Sequence, residues 1–500
     1  MQNNLERGAG ILCHISSLPN KYGIGTLGKE AYGFADFLKS AHVKYWQVLP
    51  LAHTGFGDSP YSSVACNSGN PLFIDLESLR DEGLLDDEEL KACELPDGDV
   101  NYEAVINSKI PALRLAYARF NIRDSEFVKF VESGEFEDYA MFMSLKSRYS
   151  GSFDTFPDPY KYLENLALKE FKRNEYKSEY CFWIFVQFVF KKQWLKLKEY
   201  VNSLGIKLIG DIPLYVAYDS ADVWARPELF MLDEDLKPVK VAGVPPDYFS
   251  KTGQLWGNPL YNWEVMKETD YEWWTSRMAH CATMYDVVRI DHFRGFDRYW
   301  AIPADSQTAE TGAWEDGPKA KFFQRILSKI GNFPIIAEDL GIIDSGVVQL
   351  LEQTGFPGMK VLLFAFDGSK SNPYLPKNIS QNSVAYTGTH DNATALGFLN
   401  DMSDEQFASF KKRLRDVMND EKILCPFSTR EEAARALCMV TLACPANLAI
   451  LPVQDLLGLD NSARMNFPSV AEGNWKFRLD KIPSRYFASV MRKAVKEYKR

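Results

Sequence analysis

Histidine is sparse in this chain, six among 500 residues, and none stands in an HxH or HExxH spacing. Ligands so scattered offer no local template for zinc, so metal chemistry is not expected. The eight cysteines, at 13, 66, 93, 181, 281, 425, 438 and 444, include no CxxC pair. In a chain of this size they read as separate buried thiols and not as a disulfide framework. No apolar run approaches the roughly 20 residues of a membrane-spanning helix; the longest is CFWIFVQFVF from Cys181. Acidic side chains outnumber basic ones, 67 to 57, for a net charge of −10, and no basic run is present to neutralise phosphates. Nucleic acid is therefore not an expected partner. Internal repeats, linkers and low-complexity tracts are missing too, and the opening MQNNLERGAGILCH lacks the charged-then-apolar layout of a secretory leader, so a cytoplasmic protein is expected.

What is present is core-forming material: 46% hydrophobic residues, 25% charged and 14% aromatic. At about 150 residues per domain the length suggests roughly three units, or one α/β barrel with insertions. Most of the rings serve an ordinary core. Tyr61, Tyr248 and Trp256, however, stand in turn-rich sequence where neither helical nor strand periodicity explains them. Flat apolar faces of that kind suit a pyranose ring, whose C–H groups line one side.

Eight short apolar runs, each closed by polar, Gly or Pro residues, alternate with helical patterns: GAGILCHISSLP from Gly8, YWQVLPL from Tyr45, IKLIGDIPLYV from Ile206, DVVRIDHF from Asp286, PIIAEDLG from Pro334, GMKVLLFAF from Gly358, SVAYTGTHD from Ser383 and NLAILPVQDLLG from Asn447. Near-continuous apolar runs separated by helices predict buried parallel strands, and eight of them predict a closed (β/α)8 TIM barrel. An open doubly wound sheet competes poorly, since no strand leads into a glycine-rich phosphate loop. The expected division places strands one and two in 1–66, a mainly helical insertion in 67–205 and strand three in 206–216. An insertion with a substrate-covering loop at 241–263 fills 217–285, and strands four to eight with a C-terminal helix fill 286–500. Within the first insertion Phe182, Val186, Phe190, Trp194, Leu197 and Val201 keep helical steps of three and four, with Gly205 as C-cap. Ser403 with Gln406 and Ser428 with Glu431 read as capping boxes.

Barrel active sites form at the C-terminal ends of the strands. His14, His53, His292 and His390 stand at such ends, with the carboxylates Asp291, Glu338 and Asp391. Alternation puts Arg289 and Asp291 on one face, with Ile290 on the other. A guanidinium in an apolar strand needs a carboxylate partner, and the pair is expected to hold Asp291 ionised, as a nucleophile must be. A purely structural ion pair is the bland alternative. Glu338 follows the apolar Pro-Ile-Ile-Ala, which favours a raised pKa and a general acid, while Asp339 points elsewhere, toward turn hydrogen bonds. One ionised and one protonated carboxyl, about 5–5.5 Å apart, form the kit for cleaving a glycosidic bond with retention. Asp391, His292 and His390 are candidates to bind the same sugar.

The strand ends VRIDHFRGF (288–296), IIAEDLG (335–341) and YTGTHDN (386–392) resemble the fourth, fifth and seventh strand motifs of the α-amylase clan. More specifically, GDSPYSS (57–63), GDIPLYV (210–216), GVPPDYFSKTGQLWGNPLY (243–261), PVQDLLGL (452–459) and ARMNFP (463–468) resemble glycoside hydrolase family 77, the 4-α-glucanotransferases or amylomaltases. The strand ending GDIPLYV lacks the terminal histidine of typical α-amylases, in keeping with that family. The resemblance implies Asp291 as nucleophile, Glu338 as acid/base and Asp391 as transition-state stabiliser, with no cofactor. It places Arg289, His292 and His390 around the donor sugar, Asp211 in support, Tyr248, Phe249, Trp256 and Asn258 in a lid over acceptor subsites, and Asp58 and Tyr61 along the groove. A structural turn remains the alternative for Asp58. The implied partners are α-1,4-glucan donor and acceptor chains. A hydrolase of the same clan, or a catalytically silent glycan-binding barrel, is the rival reading.

Overall fold

The computed structural model describes residues 5–173, 177–246, 250–341, 343–468, 470 and 472–500; Tyr248 and Phe249, expected in the lid, lie outside the described residues. Twelve strands occur among the described residues: β1 (Gly8–Leu12), β2 (Tyr45–Gln47), β3 (Lys207–Ile212), β4 (Lys240–Val244), β5 (Gln254–Pro259), β6 (Val287–Ile290), β7 (Arg298–Pro303), β8 (Ala313–Asp316), β9 (Ile335–Ala337), β10 (Gly358–Val361), β11 (Ser383–Tyr386) and β12 (Leu448–Pro452). Eight of them close a parallel barrel in the order β1-β12-β11-β10-β9-β6-β3-β2. All eight apolar runs supply one stave each. Their composition follows from burial on both faces: β1, β2, β6, β9, β11 and β12 are buried at every residue, so alternation with polar residues has no outlet.

Between β2 and β3 the chain is helical, ending in the long helix Lys177–Ser203. Its Phe182, Val186, Phe190, Trp194, Leu197 and Val201 are all buried, and Gly205 takes the left-handed φ of +78° that lets the chain turn into β3. Gly69 lies so close to Phe190 that a Cβ would come within 1.9 Å of the ring. Two amides lock this contact: Gln187 accepts from Gly69 N and donates to Gly69 O, and Gln193 does the same with Asp75. Among the described residues, no helix is long and apolar enough to cross a membrane.

The remaining four strands form an antiparallel sheet, β5-β4-β7-β8, over a small core of Val241, Ile302 and Ala309 with Trp300 packed against it. The division expected for 286–500, barrel strands four to eight with a C-terminal helix, omits β7 and β8, and the substrate-covering loop expected at 241–263 holds β5 and most of β4. After β6 the chain leaves the barrel, and β7 pairs with β4 from Lys240↔Pro303 to Gly243↔Trp300 before the chain returns. A second correction is local. The helix Arg430–Ala443 is boxed by Thr429 and Glu432, one residue later than Ser428 and Glu431, because the Glu432 carboxylate accepts from both Thr429 N and Ser428 N. The Ser403–Gln406 box is present.

Candidate active site

Asp291 and Glu338 stand one residue beyond β6 and β9, where the barrel ladder still fixes their backbones: Asp291 N donates to Ile212 O and Glu338 N to Ile290 O, both at 3.0 Å. Alternation sends Arg289 into the barrel, where it is only 3% exposed and joins several groups. Its Nη1 donates to both Asp211 oxygens at 2.8 and 2.6 Å, its Nη2 to Asp291 Oδ1 at 2.7 Å, and its Nε faces Met359 Sδ at 3.4 Å. Tyr61 reaches across from the loop after β2, and its hydroxyl donates to Asp211 Oδ2 at 2.6 Å. The Tyr61 ring stacks on His390, with centroids 5.1 Å apart, and both rings pack near Trp475.

Glu338 is gripped from the other side. Its Oε2 accepts from His292 N and its Oε1 from Leu340 N, each at 2.8 Å. His292 aims that N–H at the carboxylate only by adopting a left-handed backbone, φ 51° and ψ 47°, a conformation a non-glycine residue holds at some cost. Its ring packs edge-on against Trp256, centroids 4.8 Å apart, and its buried Nε2 has no hydrogen-bond partner among the described residues. Burial keeps this imidazole neutral, pushing its pKa down to about 3.

Burial raises both carboxyls, and they couple. Glu338 is pushed up to about 8, first by desolvation and then by the negative charge of Asp291, against the pull of Arg289 and two backbone N–H groups. Asp291 was expected to be held ionised by Arg289. Its pKa is in fact raised, because desolvation outweighs the guanidinium and Asp211 and Asp391 add negative potential. With 29% of its side chain open to the cleft and Arg289 in contact, Asp291 is the more easily ionised of the two. Near neutrality the shared proton belongs on Glu338.

Asp391 joins the cluster through His390 Nε2, 3.4 Å from its Oδ1. The structure thus brings Asp291, Glu338, Asp391, Arg289, Asp211, Tyr61, His292, His390 and Trp256 around one mouth. Two expected binders stand differently. Asn258 donates its amide to Val216 O at 2.8 Å, tying β5 to the exit of β3. Asp58 sits in a tight turn with φ 57°, and burial raises its pKa against the opposing charge of Lys476. Reading the strands did not reveal Asn466, whose amide donates to Asp391 Oδ1 at 2.7 Å, nor Arg464, which donates to Asp391 O at 2.6 Å. Both belong to the ARMNFP motif, which was the available signal.

Comparison with known proteins identifies the family. The family described as 4-alpha-glucanotransferase, glycoside hydrolase family 77, matches residues 13–483. The 4-alpha-glucanotransferase of Clostridium butyricum is 44% identical over 474 residues, 93% of this chain and 95% of that protein. The Thermus thermophilus enzyme of the same name is 44% identical over 485 residues, 95% of each. Among solved structures, an amylomaltase from Streptococcus agalactiae in complex with acarbose superposes with a TM-score of 0.92 at 37% identity, covering 99% of this chain and all of that one. The chain belongs to glycoside hydrolase family 77, and its activity is that of a 4-alpha-glucanotransferase.

Proposed function

We propose that the reaction runs as two displacements on maltooligosaccharides. Asp291 attacks the anomeric carbon while Glu338 protonates the departing glycosidic oxygen, leaving a glycosyl ester on Asp291. Glu338, now ionised, removes the proton from the 4-hydroxyl of an acceptor glucan, whose oxygen displaces Asp291 and restores the α-linkage. Asp391 stabilises the oxocarbenium-like transition state. Arg289 orients Asp291, with Asp211 fixing the guanidinium, and Tyr61, His292 and His390 surround the donor sugar. The observation that carries this reading is the pairing of a carboxyl raised to about 8 with a second carboxyl braced by Arg289. Trp256, on β5, covers the acceptor side. Asn258 anchors that strand, and Asp58 lines the groove. An aromatic cover favours a sugar over water as second acceptor by desolvating the ester.

Incubation with maltotriose tests the proposal. Transfer yields glucose and a ladder of longer chains at constant reducing-end count, whereas hydrolysis raises that count and a silent binder changes nothing. Asp291→Asn is expected to abolish turnover, and Glu338→Gln to lower it by about 10²–10⁴-fold. Near-normal rates in either variant would reject the assignment.

A further inference from the structure

The three acids are not held alike. Asp291 and Glu338 directly extend barrel strands, but Asp391 lies five residues beyond the end of β11 at Tyr386, in a turn closed by Asn392 N on Thr389 O and by Thr389 N on Asn392 Oδ1. No barrel strand sets its position. A bracket from the loop of the adjacent stave does so instead, running from the turn Asn461–Ala463 after β12, the strand that pairs with β11. Arg464 Nη2 donates to Asp391 O at 2.6 Å, Asn466 N to His390 O at 3.1 Å, and Asn466 Nδ2 to Asp391 Oδ1 at 2.7 Å. Arg464 also stiffens the bracket itself, since its Nε donates to Asn466 O at 2.7 Å and its guanidinium lies 4.1 Å from the centroid of the Phe467 ring.

We infer that Arg464 is a positioning residue for this reaction: it holds Asp391 at the height where its carboxylate meets the flattening sugar, without touching substrate itself. A planar cation that donates from two edges to two carbonyls joins the turn and the bracket into one unit, which no shorter or singly donating side chain does. Resting as it does on the role given to Asp391 above, the inference predicts a loss in the chemical step and little change in ground-state binding, because misplacing a reacting group by about 1 Å costs on the order of 10²-fold in rate.

The test compares Arg464→Met, Arg464→Lys and Asp391→Asn, singly and as the Arg464→Met/Asp391→Asn pair. The donor is α-maltosyl fluoride, whose leaving group departs without protonation and keeps weak variants measurable. Arg464→Met is expected to lower kcat about 10²-fold with KM within about twofold. Arg464→Lys, which keeps the charge and the stem against Phe467, is expected to fall between it and the unsubstituted enzyme and serves if the Met variant does not fold. In the Asp391→Asn background, Arg464→Met should add nothing. Multiplying losses in the double variant, an unchanged kcat in Arg464→Met, or a loss confined to KM would each overturn the inference. A normal Asp391→Asn would instead reject the role assigned to Asp391, a distinct result.

Discussion

At the scale of single residues, the site depends on how one buried guanidinium is divided. Arg289 faces Asp211 with one nitrogen and Asp291 with another, so part of its charge is already compensated and its pull on Asp291 is incomplete. Burial therefore raises Asp291 despite its guanidinium partner, and burial together with the Asp291 charge pushes Glu338 up to about 8. The sign of the pH dependence follows. With Glu338 as the proposed acid, glycosyl transfer to the enzyme needs it protonated, so kcat/KM for the donor is expected to fall as pH rises through about 8. It is also expected to fall on the acid side as Asp291 takes up its proton. A pH series of initial rates on maltotriose checks this, and a profile flat through the alkaline region would count against Glu338 as the acid. Asp291 and Glu338 were legible in the sequence because a strand's alternation fixes where Arg289 and Asp291 point, and because Pro-Ile-Ile-Ala announces a desolvated approach. Arg464 and Asn466 were not, since their partners lie 73 and 75 residues away along the chain and no local periodicity encodes a bracket between loops.

Secondary-structure elements show the same divide. The barrel strands announce themselves by near-continuous apolar runs. The strands β4, β5, β7 and β8 do not: KVAGV and QLWGNP carry glycine, RYWAIP and QLWGNP end in proline, and AWED ends in charge. Each alone reads as a turn or a loop, and only pairing across some 60 residues, as between Lys240 and Pro303, makes them a sheet. One barrel seam is also unusual. β9 and β10 share a single register pair, Ala337 with Gly358, and the Asp339 carboxylate continues the seam by accepting from Met359 N at 2.6 Å. Asp339 thus accepts from backbone across the seam and not within its own turn, where its hydrogen bonding was expected, and Lys360 Nζ stands 3.2 Å from its other oxygen. A Cβ on Gly358 would come within 2.5 Å of Asp339 Oδ2. Gly358→Ala is therefore expected to cost about 1–3 kcal/mol, as overpacking does. Urea unfolding would report it as a lowered midpoint at constant slope, and an unchanged midpoint would show that the seam yields freely.

At the scale of the whole molecule, the question is whether the helical segment between β2 and β3 behaves as a separate domain. Its buried side chains and those of the barrel belong to one hydrophobic core, in which Phe182, Phe185 and Leu113 are continuous with Trp46, Ile209 and Val288. Polar locks span the junction, where Trp194 Nε1 donates to Met284 O and Lys198 Nζ to Thr283 O and Tyr285 O, while Gln187 and Gln193 fasten the long helix to Gly69 and Asp75 within its own segment. A boundary of that kind cannot open without exposing core, so barrel and helices should unfold together. Far-UV circular dichroism and tryptophan fluorescence are expected to trace one coincident denaturant transition. Gln187→Leu supplies the sharper version of this test. It leaves both Gly69 N and Gly69 O buried without their partner, which predicts a loss of about 2 kcal/mol or more. If the molecule is one cooperative unit, both probes shift by the same amount; a shift confined to one probe, or a transition split in two, would show that the helices fold as an independent layer on a barrel that stands without them.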